Sequence, residues 1–207
     1  MIILDFDGVL FNDERFKRDL WRLFGNFCIP HHIHQAAYRE ARMMYDAYRH
    51  DTHLSLMRRE MPSLDTSKLN HEITLLLSRS RRYLYRDALP FVAYAKKRGE
   101  RLSLASNGYE FQKKKVAGSG IAPLLDAVVV AGGPKSTMIR RLVRRVRPRR
   151  IFFIDDKKSV IDEVKQKMPD IVVLQILRRK GAERSSRADA VLPNLSAARR
   201  FIERCEQ

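Results

Sequence analysis

The chain begins Met1-Ile-Ile-Leu-Asp-Phe-Asp-Gly-Val-Leu10, a short apolar run that ends in two carboxylates and a glycine. An apolar run of this length, stopped abruptly by polar residues, reads as a buried strand. Side chains at the end of such a strand face a crevice at the sheet edge rather than the core. Asp5 and Asp7, held that close, repel each other unless a cation or a shared proton intervenes. The pair points to a metal site or an acid–base pair at a strand's carboxyl end.

The same motif of an apolar run with an abrupt polar end recurs down the chain. Residues 101–106 end in Ser106-Asn107-Gly108, residues 127–131 in Gly132-Gly133, and residues 151–154 in a second acid pair, Asp155-Asp156. A further apolar run covers residues 171–176. Helical patterns separate them, over residues 88–98 (closed by Gly99), 111–116, 137–146 (before Pro148), 160–168 and 195–205. Strands alternating with helices predict an α/β fold, a Rossmann-like parallel sheet flanked by helices on both faces. Residues 13–86 break that rhythm. Asn12 offers a helix start, and Phe16, Leu20, Leu23 and Phe27 recur at helical spacing. Ala37, Ala41, Met44 and Tyr48 do the same over residues 34–48, and helical character continues through residues 54–57 and 69–84. The expected organisation is a core of residues 1–12 and 87–207 with an inserted α-helical cap at residues 13–86.

Composition narrows the setting. No apolar run approaches the ~20 residues of a membrane span, and the opening run lacks a basic leader, so it reads as a strand rather than a signal peptide. Two cysteines, Cys28 and Cys205, form no CxxC pair. That usage favours a reducing, cytoplasmic location and argues against structural zinc. The formal net charge is +17, which draws anions: phosphorylated metabolites, nucleic acid or anionic lipid.

In a doubly wound sheet the strand ends share one edge. That edge would gather Asp5 and Asp7, Ser106 and Asn107, Gly132 to Lys135, and Asp155 and Asp156. Four acids together call for a hard cation, and carboxylate oxygens suit Mg²⁺ completed by a substrate phosphate. The hydroxyl and the lysine suit phosphate oxygens. A carboxylate nucleophile, a second acid, a metal and phosphate donors describe phosphoryl transfer through an aspartyl-phosphate.

These residues resemble the four motifs of the haloacid dehalogenase (HAD) superfamily, in order. Asp5-Phe-Asp-Gly-Val-Leu10 is similar to the first, Ser106 to the second, Lys135 after Gly133-Pro134 to the third, and Ile154-Asp-Asp156 to the fourth. The resemblance implies that Asp5 is the nucleophile and a Mg²⁺ ligand. It implies that Asp7 protonates the leaving group, then activates water, and touches the metal through its backbone carbonyl. Ser106 and the Asn107 N–H would hold the phosphoryl group, Lys135 would neutralise its charge, and Asp156 would bind the metal with Asp155 acting through water. Gly8 and the turn after it correspond to the family's opening element, and residues 13–86 to its first type of cap. Dehalogenase members lack an acid where Asp7 stands. The resemblance therefore implies a Mg²⁺-dependent phosphatase acting on a small phosphorylated substrate; the alternatives are a phosphomutase with the same site, or a nucleic-acid-associated protein that uses a basic surface on a HAD scaffold.

Three other features are weighed against it. Lys113-Lys-Lys115 offers a second lysine, but its helical position reads as a solvated face. His31, His32 and His34 lack a completing ligand and read as a polar loop. The basic run Arg140 to Arg150 places Ile139, Leu142, Val143 and Val146 on one stripe, leaving its arginines as a solvent face or as a site for nucleic acid or another polyanion.

Overall fold

In the computed structural model, which describes residues 1–44, 48–144, 146, 148–179 and 181–205, six parallel strands form one sheet. They are β1 (Ile2–Leu4), β2 (Leu102–Asn107), β3 (Ala127–Ala131), β4 (Phe152–Asp155), β5 (Val172–Ile176) and β6 (Ala190–Leu192), in the order β3-β2-β1-β4-β5-β6. The α/β, Rossmann-like prediction holds, and β6 is an addition to it. Along each strand alternate side chains enter opposite layers. Ile2 and Leu4 of β1 join the core shared with the inserted helices, as do Phe152 and Ile154 of β4, while Ile3 and Phe153 join the core on the other face. Both faces are therefore apolar and covered, as a parallel sheet requires.

Residues 13–86 supply four helices, α1 (Asp13–Asn26), α2 (His31–Met43), α3 (His50–Glu60) and α4 (Thr66–Ser78), and a 3₁₀ turn at Ser80–Tyr83. Side-chain caps start two of them: Asn12 Oδ1 accepts from the Arg15 N–H (3.0 Å) and Asp65 Oδ1 from the Lys68 N–H (2.9 Å). The two connections to the sheet lie side by side, with the Asn12 N–H donating to Tyr83 O (2.8 Å) and the Tyr85 N–H to Leu10 O (2.9 Å). After β1 and this insertion the helices are α5 (Ala88–Lys97), α6 (Glu110–Gly118), α7 (Lys135–Val143), α8 (Lys158–Lys167) and α9 (Leu195–Cys205). The basic run thus leaves its helix at Val143 rather than Val146. Ile139 and Leu142 are buried, and Arg140 and Arg150 donate to the carbonyls of Lys167 and Cys205. Arg145 and Arg147 of that run lie outside the described residues.

The expected polar loop at His31, His32 and His34 is instead the first turn of α2, because Pro30 supplies an extended residue from which a helix can start. His34 is buried against Phe24, with ring centroids 5.1 Å apart. His53 of α3 is also buried. Its Nε2 donates to His34 O (3.0 Å) and its Nδ1 accepts from the Tyr48 hydroxyl (2.8 Å), so it carries its single proton on Nε2. Burial pushes its pKa down from 6.5 to about 4, and lowers those of His34 and His50 as well.

The insertion meets the core most closely where α4 crosses α6. A Cβ at Gly118 would stand 1.9 Å from the carbonyl oxygen of Leu77, a backbone atom that cannot swing aside. Gly118→Ala is expected to destabilise the protein by about 1–3 kcal/mol, through forced separation of the two helices, measured by urea unfolding. Protonation of His53 favours the unfolded chain, where its pKa is ordinary. The His53 contribution to stability is therefore expected to be complete above pH 6.5 and to be lost as the pH drops toward 4. That contribution is about 3 kcal/mol at most, and thermal melts of His53→Gln should show a flatter acid limb than those of the parent chain.

Candidate active site

β1 lies between β2 and β4, with Leu4 paired to Leu104 on one side and to Ile154 on the other. This register brings the residues that follow these strands to one edge. The Asp5 N–H donates to Ile154 O (2.9 Å), which locks the first acid beside the second acid pair. Asp5, Asp155 and Asp156 each offer a carboxylate oxygen within 4.8 Å of the others. Gly8 makes the approach possible: its φ is +78°, and a Cβ there would lie 2.3 Å from Asp156 Oδ2.

Cations ring the acids. Lys135 is the first residue of α7, buried, with its ammonium donating to Asp5 Oδ1 and to Ala105 O and standing 3.9 Å from Asp155 Oδ2. Asp155 Oδ1 accepts from the Lys157 N–H (2.9 Å), while Asp155 Oδ2 and Asp156 Oδ1 are buried without a hydrogen-bond partner. Burial and the Asp5 charge push Asp155 well above the usual carboxylate range and Asp156 up to about 6. Burial pulls the Lys157 ammonium down, but Asp5, Asp155 and Asp156 outweigh it and raise its pKa. Two orphaned carboxylate oxygens in an oxygen-only set are the donors a hard divalent cation takes. Asp5, Asp155 and Asp156 can hold one.

The other predicted residues distribute as follows. Ser106 is buried at the end of β2, its Oγ accepting from Gln112 Nε2 (2.9 Å). Asn107 is exposed and its Nδ2 donates to Gly133 O (2.7 Å). Asp7 is half-buried and turned away from the three-acid cluster toward α6. Burial raises its pKa, against the lowering effect of Lys115.

Lys115 corrects the sequence reading, which put it on a solvated face. It is 3% exposed, with its ammonium 2.7 and 2.9 Å from the Asp7 oxygens and 3.6 Å from Asp13 Oδ1. Burial works upward on Asp13, but the charges of Lys115 and Lys17 outweigh it and lower its pKa. Sequence reasoning also missed Gln112, which links Asp7 Oδ2 (2.9 Å) to Ser106, and Arg178. The Arg178 guanidinium donates to Gly8 O (3.2 Å) and Val9 O (2.8 Å) and is paired with Asp87, whose other bond is to the Leu195 N–H at the start of α9. Gln175 Nε2 donates to Asp156 O (3.1 Å). A cavity of about 610 Å³ opens between α3, α4 and the first turn of α6. Phe111 and Lys114 face it, whereas Gln112 and Lys115 face Asp7, and none of the six predicted acids and phosphate-binding side chains with buried or half-buried positions lines it.

Comparison with known proteins agrees with this geometry. A haloacid dehalogenase-like hydrolase family model matches residues 1–159. No curated protein sequence matches the chain. Among solved structures, a haloacid dehalogenase-like hydrolase from Burkholderia xenovorans LB400 superposes with a TM-score of 0.80 at 16% identity, covering 100% of this chain and 97% of its own. The L-2-haloacid dehalogenase from Xanthobacter autotrophicus, with chloropropionic acid covalently bound, gives 0.67 at 15% identity over 98% and 97%. A HAD phosphatase from Thermococcus onnurineus gives 0.65 at 17% identity over 97% and 96%. Among the described residues no helix is long and apolar enough to cross a membrane. The fold, the convergent acids at the β1 and β4 ends and a family match over most of the chain carry one conclusion: this chain belongs to the haloacid dehalogenase-like hydrolase family.

Proposed function

We propose that the protein is a Mg²⁺-dependent phosphomonoesterase working through an aspartyl-phosphate. The observation that carries this reading is Asp7, a second carboxylate two residues after Asp5 whose pKa is raised by burial. Displacing a halide requires no proton, because halide is a stable anion. Displacing the alkoxide of a phosphate ester does require one, and an acid two residues from the nucleophile supplies it.

Asp5 attacks phosphorus, forming the Asp5–O–P bond as the ester P–O bond breaks, and Asp7 gives its proton to the departing oxygen. Asp7, now ionised, takes a proton from water. The resulting hydroxide attacks phosphorus, releasing inorganic phosphate and restoring the Asp5 carboxylate. The Ser106 hydroxyl, the Asn107 N–H and the Lys135 ammonium hold the phosphoryl oxygens, where charge accumulates in the transition state. Lys135 also orients Asp5 through their ion pair. Asp5, Asp156 and the Asp7 carbonyl would hold the Mg²⁺, with Asp155 acting through water, and the ion would supply positive charge against the phosphoryl group. The α1–α4 insertion serves as the cap over residues 1–12 and 87–207, excluding water and contacting the small phosphorylated substrate. The proposal includes a cytoplasmic setting, in which Cys28 and Cys205 remain the free thiols they are here.

Purified protein with Mg²⁺ is expected to release phosphate from 4-nitrophenyl phosphate, and EDTA to stop it reversibly. Asp5→Asn is expected to reduce kcat by about a thousandfold or more, since the covalent route is removed. Phosphate release that is unchanged in Asp5→Asn overturns the reading, as does chloride release from 2-chloropropionate in place of phosphate release.

A further inference from the structure

We propose that Lys115, with Gln112, is the positioning device for Asp7: α6 holds the acid–base carboxylate in its working orientation and ties that orientation to the first turn of the inserted helices. The proposal rests on the phosphate reading above.

Three observations support it. The first is where a lysine has been buried. Its ammonium sits on both Asp7 oxygens and near Asp13, the first residue of α1, and lies 5.0, 5.5 and 5.8 Å from the ring centroids of Phe11, Phe16 and Phe6. A buried ammonium is costly to desolvate, and an ion pair flanked by ring faces offsets that cost only in one geometry. The charge is therefore fixed in place, and so is the carboxylate it holds. The second is the neighbour one helical turn earlier. Gln112 presents one amide nitrogen to both Asp7 Oδ2 and Ser106 Oγ, so the acid–base group and a phosphate-binding hydroxyl share one strut. The third is steric provision for that strut. Gly108 has φ +149°, and a Cβ there would stand 2.5 Å from Gln112 Cβ. The turn is built around the glutamine.

The consequence is mechanical. Asp7 follows β1 in a short loop whose chain continues directly into α1. A side chain on such a loop samples several rotamers unless something outside the loop fixes it. Lys115 is that outside anchor, and because it also faces Asp13, a shift of α1 is felt at the Asp7 carboxylate. A carboxylate out of line with the ester oxygen penalises poor leaving groups most, since good ones depart with little help from an acid.

The test compares two esters of similar shape, 4-nitrophenyl phosphate and phenyl phosphate, in the intact protein with Mg²⁺. In Lys115→Met, kcat/KM on phenyl phosphate is expected to fall about tenfold or more beyond the fall on 4-nitrophenyl phosphate. Lys115→Arg is expected to restore most of the difference, and Lys115→Met is expected to add nothing in an Asp7→Asn background, because residues that act through one another are not additive. Equal losses on the two esters, or an additive loss in the Asp7→Asn background, overturn the proposal by assigning Lys115 a purely structural role. Should Lys115→Met fail to fold, Gln112→Leu carries the same comparison. Asp5→Asn in parallel separates the two claims: activity unchanged there overturns the phosphatase reading. In that case crystal structures of Lys115→Met and of Gln112→Leu still decide the tether, with an undisplaced Asp7 side chain in whichever of them folds overturning it.

Discussion

Like charges buried side by side govern this molecule. Because β1 pairs with β4 in register, the acids that end both strands are forced onto one stretch of sheet edge. Repulsion there would open the strands if nothing answered it. Lys135 answers from α7, reaching Asp5 and standing near Asp155, and the Lys157 N–H answers by binding Asp155 Oδ1. The response is incomplete, since two carboxylate oxygens keep no hydrogen-bond partner. An edge with acids in excess of its cations is a poor structural device and a suitable receptor for a divalent ion.

A second balance of charge lies a few residues away and has a different character. Around Asp7 the compensation is complete: Lys115 and Gln112 take the carboxylate, and the ammonium has three aromatic rings around it. The surroundings of Asp5 are left short of positive charge and those of Asp7 are not. On the proposed function, that contrast separates a group that must gain a cation from one that must keep its direction.

Much of this was legible in the chain. Short apolar runs with polar ends located five of the six strands, and the acid pairs marked the two that matter most. The missed strand, β6, is three half-buried residues at the sheet margin, too short to show a pattern. Lys115 was misread because the face of α6 that packs inward carries Gln112 and Lys115 beside Val116. Binary patterning assigns such a face to solvent, and only a carboxylate 108 residues earlier in the chain makes it a buried one. His34 and His53 escaped for a similar reason: each is buried among aromatic rings supplied by other helices.

Arg178 and Gln175 lie beyond residue 159, where the family match stops. Yet one grips the carbonyls of Gly8 and Val9 and the other that of Asp156. The carboxylates of the candidate site lie in the first three-quarters of the chain, and two side chains that hold their loops lie in the last. Descendants of this protein can exchange loops after β5 and keep every carboxylate, while altering how firmly the first turn after β1 is clamped and so how freely the mouth of the candidate site breathes.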